Sequence, residues 1–391
     1  MQLSTTVALL FLGFLLVSVI TVSLHPPVKP VHIVLVQTNA PANHVTSTRF
    51  LSIALDSSII ADGFSRFDMR NRRLRKMMTN LSPGYLRIGG TMADRLIFVT
   101  NQTQSRKVST DVQDGSDCAY EEMQCSLGSR SNFTLLDTEW LELYELSFNT
   151  GFTILFDLNV LIRKADGSWD YENAEKLIKF SNDNNMNVIW QLGNAETSDA
   201  YGGGAPGYSN RYIGTFIWLD KLGISAKMGL DVVVRQTLFK GFYALIDNNY
   251  DPTPNYWISV IYKAFVGPEV VPCIEASSEK VRLYCQCTNK NFRSSSVTLF
   301  GFNLKDSDVI IRVEGLKDPR HALDTIYAYV LSPYLTLFTK SMYLNKEQLV
   351  LGSDGTLPPF KPKLITDEVH VVIPAYSSAF FVIPTDIAAC H

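Results

Sequence analysis

Near residue 268 this 391-residue chain changes its hydrophobic period, and the change limits the folds open to it. Upstream, apolar runs of strand length alternate with helical patterns. Phe50–Leu55, Tyr85–Ile88, Phe152–Leu158, Met186–Leu192 and Leu230–Leu238 read as strands. Several are continuous apolar stretches, as parallel strands buried on both faces require. Asp68–Thr79, Tyr171–Asn182, Asn210–Leu222 and Asn255–Phe265 read as the helices between them. Such alternation makes an α/β domain, either a barrel or an open sheet. Downstream the helical patterns stop. Short strands recur at Val281–Cys287, Ser296–Asn303, Val309–Val313, Thr325–Leu331, Gln348–Gly352, Val369–Ile373 and Ser378–Ile383, separated by turn residues. That is the pattern of an all-β sandwich. Two domains also suit the length, because a single core stops growing at ~250–300 residues.

The expected organisation follows. Residues 1–24 form a leader, 31–49 a strand joining the sandwich, 50–267 the α/β domain and 268–391 the sandwich. The polar stretch 100–134 reads as a long surface insertion. With 46% hydrophobic and 19% charged residues the chain is neither disordered nor fibrous. A net charge of −3 gives no global basic field, so nucleic acid is not an expected partner.

Thr5 to Leu24 is a run of 20 residues without a charge. It exceeds the ~7–15 apolar residues of an ordinary signal peptide and has no basic residue before it. Its length suffices to span a bilayer. The readings are a cleaved signal, an uncleaved signal-anchor giving membrane association, or a buried core helix. The first two send the chain into the secretory pathway, to an extracellular, lysosomal or membrane-anchored destination. Sequons at Asn101 and Asn132 agree as expected glycosylation sites; that at Asn80 is poorer, with Pro83 beside it.

Chemistry is expected where the fourth strand ends. There the chain runs Trp190-Gln191-Leu192-Gly193-Asn194-Ala195-Glu196, then Tyr201-Gly202-Gly203-Gly204-Ala205-Pro206. A carboxylate just past a buried strand, followed by a glycine loop, sits where α/β enzymes build sites. The same pattern also serves an ordinary loop with a capping glutamate.

These residues resemble the heparanase family. Leu81-Ser82-Pro83-Gly84-Tyr85-Leu86-Arg87-Ile88-Gly89-Gly90-Thr91 and Phe50–Asp56 resemble the start of its catalytic barrel. Trp190–Asn194 resembles the strand that ends in Asn-Glu-Pro in the family. Glu196–Ser198 with Ala200–Pro206 resembles its nucleophile segment. Trp218–Gly223, Val233–Gln236, Tyr250–Trp257, Cys287–Asn289, Thr356–Pro359 and Ala389–Cys390 continue the likeness to the C-terminus. The resemblance implies a (β/α)8 TIM-type barrel with a β-sandwich, and retaining hydrolysis of β-glucuronidic bonds in heparan sulfate. It implies Glu196 as nucleophile and Asp56, Ser58, Thr91, Tyr201, Gly202, Gly203, Gly241 and Tyr243 as substrate contacts. It also pairs Cys287 with Cys390.

One departure changes the expectation. A retaining glycosidase needs two carboxyls ~5–5.5 Å apart, an acid/base and a nucleophile. The family's acid/base directly follows the strand-four Asn, where this chain has Ala195. Glu196 already belongs to the segment that the family carries on strand seven. The chain jumps from the fourth strand to the end of the seventh, leaving five barrel strands of eight, a shortage of roughly 90–100 residues. The expected fold is therefore an incomplete (β/α)8 barrel followed by an all-β sandwich. The expected function is an impaired or inactive heparanase-like hydrolase; the alternative is a non-catalytic protein that binds heparan sulfate or another glycan, a pseudoenzyme or splice form. Asp56 and Asp157 lie at strand ends and are the candidates for a substitute acid.

Other signals are weaker. Arg70, Arg72, Arg73, Arg75 and Lys76 would suit a sulfated polymer, or form a solvated helix face. Cys118 and Cys125 are expected to bridge within the insertion, while Cys273 and Cys285 pair or stay reduced. The six histidines are scattered without ligand spacing and no nucleotide motif occurs, so neither a metal nor a cofactor is expected.

Overall fold

The structure is a computed structural model and describes residues 31–100, 132–192, 204–275, 278–293, 295–316, 325–366 and 370–391. Its α/β part is a five-stranded parallel sheet. In chain order the strands are β1 (Leu51–Asp56), β2 (Gly84–Gly89), β3 (Phe152–Leu158), β4 (Val188–Leu192) and β5 (Val233–Arg235), arranged β4-β3-β2-β1-β5. Helices α1 (Arg72–Thr79), α2 (Asp137–Asn149), α3 (Glu172–Asp183), α4 (Gly214–Lys227) and α5 (Pro254–Phe265) accompany it. Among the described residues the outer sides of β4 and β5 carry no partner strand, so the sheet is an incomplete barrel. Closing a barrel at the usual tilt takes eight strands, which is why five leave two edges.

The strands form because one face of each meets helices. Phe156 and Trp190 close on Trp140 of α2 at centroid distances of 4.9 and 6.3 Å, and Trp140 Nε1 donates to Ser181 Oγ of α3. Successive strand residues point to opposite faces, so Asp157 and Gln191 lie on the barrel side. β1 to β3 are mostly buried, whereas β4 leaves Ile189 and Leu192 exposed, Leu192 by 64%. That exposure is what removing the next strand would produce.

The sandwich has a four-stranded and a nine-stranded sheet. Val31–Val36 pairs in parallel with Val309–Glu314 in the smaller one. In the larger, Val281–Thr288, Ser296–Asn303, Ser377–Pro384 and Ile326–Pro333 run antiparallel side by side. Val34, Ile311, Leu283, Leu299 and Phe381 fill the space between the sheets. The other face of the larger sheet meets the barrel: Tyr262 of α5 lies edge-on to Phe300, and Phe216 of α4 lies against Phe302. Gly223 of α4 is required there, because a Cβ would stand 2.3 Å from the Tyr284 ring. One apolar core thus runs from the sheet through α4 and α5 into the sandwich.

Several expected boundaries move for local reasons. The helix expected from Asp68 starts at Arg72, because Asn71 caps it by accepting the Leu74 N–H at 3.0 Å. The helix expected from Asn210 starts at Gly214, because the N–H groups of Tyr212 and Ile213 donate to the carbonyls of Thr339 and Leu337. The strand expected at Gln348–Gly352 is confined to Glu347–Gln348. Helix α2 and the parallel pair Leu96–Val99 with Phe133–Leu136, which flanks the insertion, were not anticipated. Cys287–Cys390 and Cys273–Cys285 are both disulfides. Cys118, Cys125 and Asn101 lie outside the described residues. Asn132 is exposed, whereas the Asn80 amide is occupied, donating to Tyr256 Oη and the Gly355 carbonyl.

Candidate glycan site at the carboxyl end of the sheet

The carboxyl ends of the parallel strands gather the candidate residues. Asp56 closes β1. Its Oδ1 accepts the Ser58 N–H at 2.9 Å and its Oδ2 accepts Gln236 Nε2 at 3.4 Å. Gly90 follows β2 at φ +109°, and a Cβ there would stand 2.7 Å from Asp56 Oδ2, so only glycine leaves room for the carboxylate. Thr91 comes next and is exposed. Asp56, Ser58 and Thr91 therefore share one corner of the rim.

The β5 side supplies a second corner. The Arg235 guanidinium lies 4.9 Å over the Trp218 ring, and its Nη2 donates to the Tyr243 carbonyl at 3.0 Å. Gly241 takes φ +93° in the turn leading to Tyr243. The Tyr243 ring rests against Gly204, where a Cβ would stand 2.9 Å from Cδ1. Gln236 joins the two corners through Asp56. From the sequence it enters only as the last residue of Val233–Gln236, not as a site residue. Glu196, Tyr201, Gly202 and Gly203 lie outside the described residues, as do Asn194 and Ala195. Eleven residues, 193–203, connect the end of β4 to Gly204 beside Tyr243.

Inside the sheet's concave face is a buried polar group. Arg87 of β2 donates from Nη2 to Asp157 Oδ2 at 3.2 Å and from Nε to Gln191 Oε1 at 3.0 Å. Asp157 is 1% exposed. Burial pushes its carboxyl up to about 6; Arg87 opposes the shift and Asp94 adds to it. Asp56 and Asp157 thus have different surroundings, one accepting from Ser58 and Gln236, the other buried and paired with Arg87.

Three residues of the basic run are held by other groups. Arg70 pairs with Glu142, Arg75 with Glu145 at 3.6 Å, and Arg73 with Asp251 at 2.9 Å. Arg73 also donates to the carbonyls of Tyr250, Gly352 and Ser353. The run ties α1 to α2 and to the sandwich. No group of three or more His, Cys, Asp or Glu residues able to hold a metal occurs among the described residues. Among them no helix is long and apolar enough to cross a membrane.

Residues 56–200 match the family of glycosyl hydrolase family 79, N-terminal domain. Heparanase of Gallus gallus is 26% identical over 487 aligned positions, which cover 86% of this chain and 92% of that protein. The chain is similar to the heparanase family over most of its length. Inactive heparanase-2 of Mus musculus is equally similar, 26% identical over 89% of this chain and 87% of its own length. Similarity to this family is therefore compatible with either an active or an inactive protein. The solved 4-O-α-L-rhamnosyl-β-D-glucuronidase of Fusarium oxysporum superposes with a TM-score of 0.60 at 12% identity, covering 90% of this chain and 100% of that one. At that identity the likeness is one of fold, and it agrees with a TIM-type barrel and a sandwich.

Proposed function

We propose that this heparanase-family chain holds a β-glucuronate-containing glycan of the heparan sulfate type across the carboxyl end of its open sheet and does not hydrolyse it at a rate useful to a cell. The observation that carries the reading is the exposed edge strand β4, followed at once by Asn194-Ala195-Glu196. The alignment with the Gallus gallus relative runs over 487 positions, more than the 391 residues here, which supports the loss of an internal piece.

The chemistry follows from that loss. In a retaining reaction Glu196 would attack the anomeric carbon while a second carboxyl protonated the departing oxygen. Ala195 has no proton to give, and a missing positioned donor costs ~10²–10⁴-fold in rate. An incomplete barrel also loses wall on the side where strands five to seven would stand. What remains is a rim of hydrogen-bonding groups, Asp56, Ser58, Thr91 and Tyr243, suited to sugar hydroxyls. The leader and the sequons support a secretory-pathway destination.

The deciding experiment combines binding and turnover of a size-defined heparan sulfate oligosaccharide. Binding without cleavage supports the proposal; cleavage abolished by Glu196→Gln overturns it. Ala195→Glu separates the two deficits, since recovered cleavage would trace the loss to the missing acid rather than to the missing strands. A second reading, slow hydrolysis with Asp157 as the proton source, is favoured by the titration of Asp157 near pH 6 at the end of β3. It requires cleavage that fails in Asp157→Asn and that fades as pH rises above about 6.

A further inference from the structure

The loop Tyr334–Lys340 leaves the sandwich strand Ile326–Pro333 and lies on the carboxyl rim of the barrel. The Leu337 and Thr339 carbonyls accept the N–H groups of Ile213 and Tyr212, both at 2.9 Å, just before α4. Tyr212 Oη donates back to the Leu331 carbonyl at 2.7 Å. Lys340 Nζ stands 3.3 Å from Asp247 Oδ2, in the segment between β5 and α5. These contacts fix the loop to two strand-to-helix connections of the candidate site.

Held in this way, the loop turns its large apolar side chains outward. Tyr334 is 50% exposed, Leu335 88% and Phe338 48%, and the neighbouring Tyr208 is 56% exposed. Two ring pairs hold three of them: Phe338 meets Tyr208 edge-on at 5.4 Å, and Tyr334 stacks on Tyr343 at 5.5 Å. Several large apolar side chains left exposed in one loop point to an interaction site.

Two observations select the occupant. The first is continuity with the candidate glycan site. Tyr208 lies four residues beyond Gly204, which rests on Tyr243. The stretch between is pinned by the Ala205 N–H to Ser209 Oγ and by Asn255 Nδ2 to the Ser209 carbonyl. The second is chemistry. Three of the four exposed side chains are aromatic, and the negative face of a ring attracts the C–H bonds along a flat sugar face. β-Linked pyranoses with equatorial substituents present two such faces. Lys340 is the only cation in the loop sequence, and Asp247 holds it, so the loop itself offers little to a sulfate.

We propose that Tyr208, Tyr334 and Phe338 form an aromatic platform that stacks the rings of an unsulfated glucuronate–N-acetylglucosamine stretch running on from the rim. The proposal rests on the glycan-binding reading above and adds a second contact zone to it. Calorimetric titration of the full chain with unsulfated tetrasaccharides and dodecasaccharides of that repeat tests it. Wild type should bind the longer chain about tenfold more tightly, the gain expected from two aromatic contacts. Tyr334→Ser with Phe338→Ser should lose that gain and keep tetrasaccharide affinity and thermal midpoint. Tyr334→Phe, which keeps the ring, should retain the gain and so excludes misfolding as the cause. Wild type binding neither length, and no heparan sulfate oligosaccharide either, overturns the glycan reading and the platform together. A length gain that survives the double substitution overturns the platform alone. So does a double variant whose only change is lost self-association in sedimentation, which would make the patch an interface between copies.

Discussion

Asp157→Asn gives the sharpest test of the polar group inside the open sheet. The Asp157 carboxyl moves from 3.8 to about 6 in the folded chain, mainly through burial. A raised carboxyl favours the protonated form in the folded state, so the group opposes folding when ionised. The penalty is absent below pH ~4 and complete above the folded value. Two units at ~1.4 kcal/mol each make it about 3 kcal/mol at neutral pH. Between pH 7 and pH 5 it falls by roughly 1 kcal/mol, so this residue alone should stabilise the protein as the solution is acidified. Urea unfolding at a series of pH values measures it. Other carboxylates titrate as well, so the informative quantity is the difference between wild type and Asp157→Asn. That difference should change by about 1 kcal/mol from pH 7 to pH 5, with the wild type gaining on the variant as pH falls. The variant also removes the Asp157 charge from beside Arg87, an offset that should vary little over this range. Parallel stability curves across the range would show that Asp157 is solvated, and would remove the basis for giving it a proton to donate.

Three further perturbations probe how the two parts are joined. Gly223→Ala drives a Cβ into the Tyr284 ring and should lower stability by ~1–3 kcal/mol, read as a lower thermal midpoint. Cys287→Ser opens a closure of 103 residues and Cys273→Ser one of 12, so on chain entropy the first should cost ~4–5 kcal/mol and the second ~3 kcal/mol in chemical denaturation. Arg73→Ala removes donors to the Tyr250, Gly352 and Ser353 carbonyls and the Asp251 pair; a loss of ~1–3 kcal/mol is expected, largely insensitive to salt because most partners are carbonyls.

All five sheet strands were legible because they are apolar runs of the right length between helical patterns, and that signal is local. Their openness was legible only by counting strands against a known architecture. The charge run on α1 shows what is not local. Arg70, Arg73 and Arg75 read alike in sequence, while the acids that neutralise them, Glu142, Asp251 and Glu145, lie 70 to 178 residues away. Gln236, part of the Val233–Gln236 likeness, shows no site role in the sequence because an amide beside a strand end has no distinguishing pattern until Asp56 is seen opposite it. The start of α4 was misread because the groups that compete for its first N–H donors come from the sandwich. The rim aromatics carried no signal at all: Tyr334 and Phe338 look like strand residues until their exposure is known.

The core that passes through α4 and α5 also fixes how this molecule comes apart. Tyr262, Phe216 and Tyr284 belong to one continuous apolar body with Phe300 and Phe380. No surface between barrel and sandwich can be opened without wetting residues that both sides need. Heating should therefore give one cooperative transition, with the sandwich lending its free energy to a sheet that could not hold its shape alone.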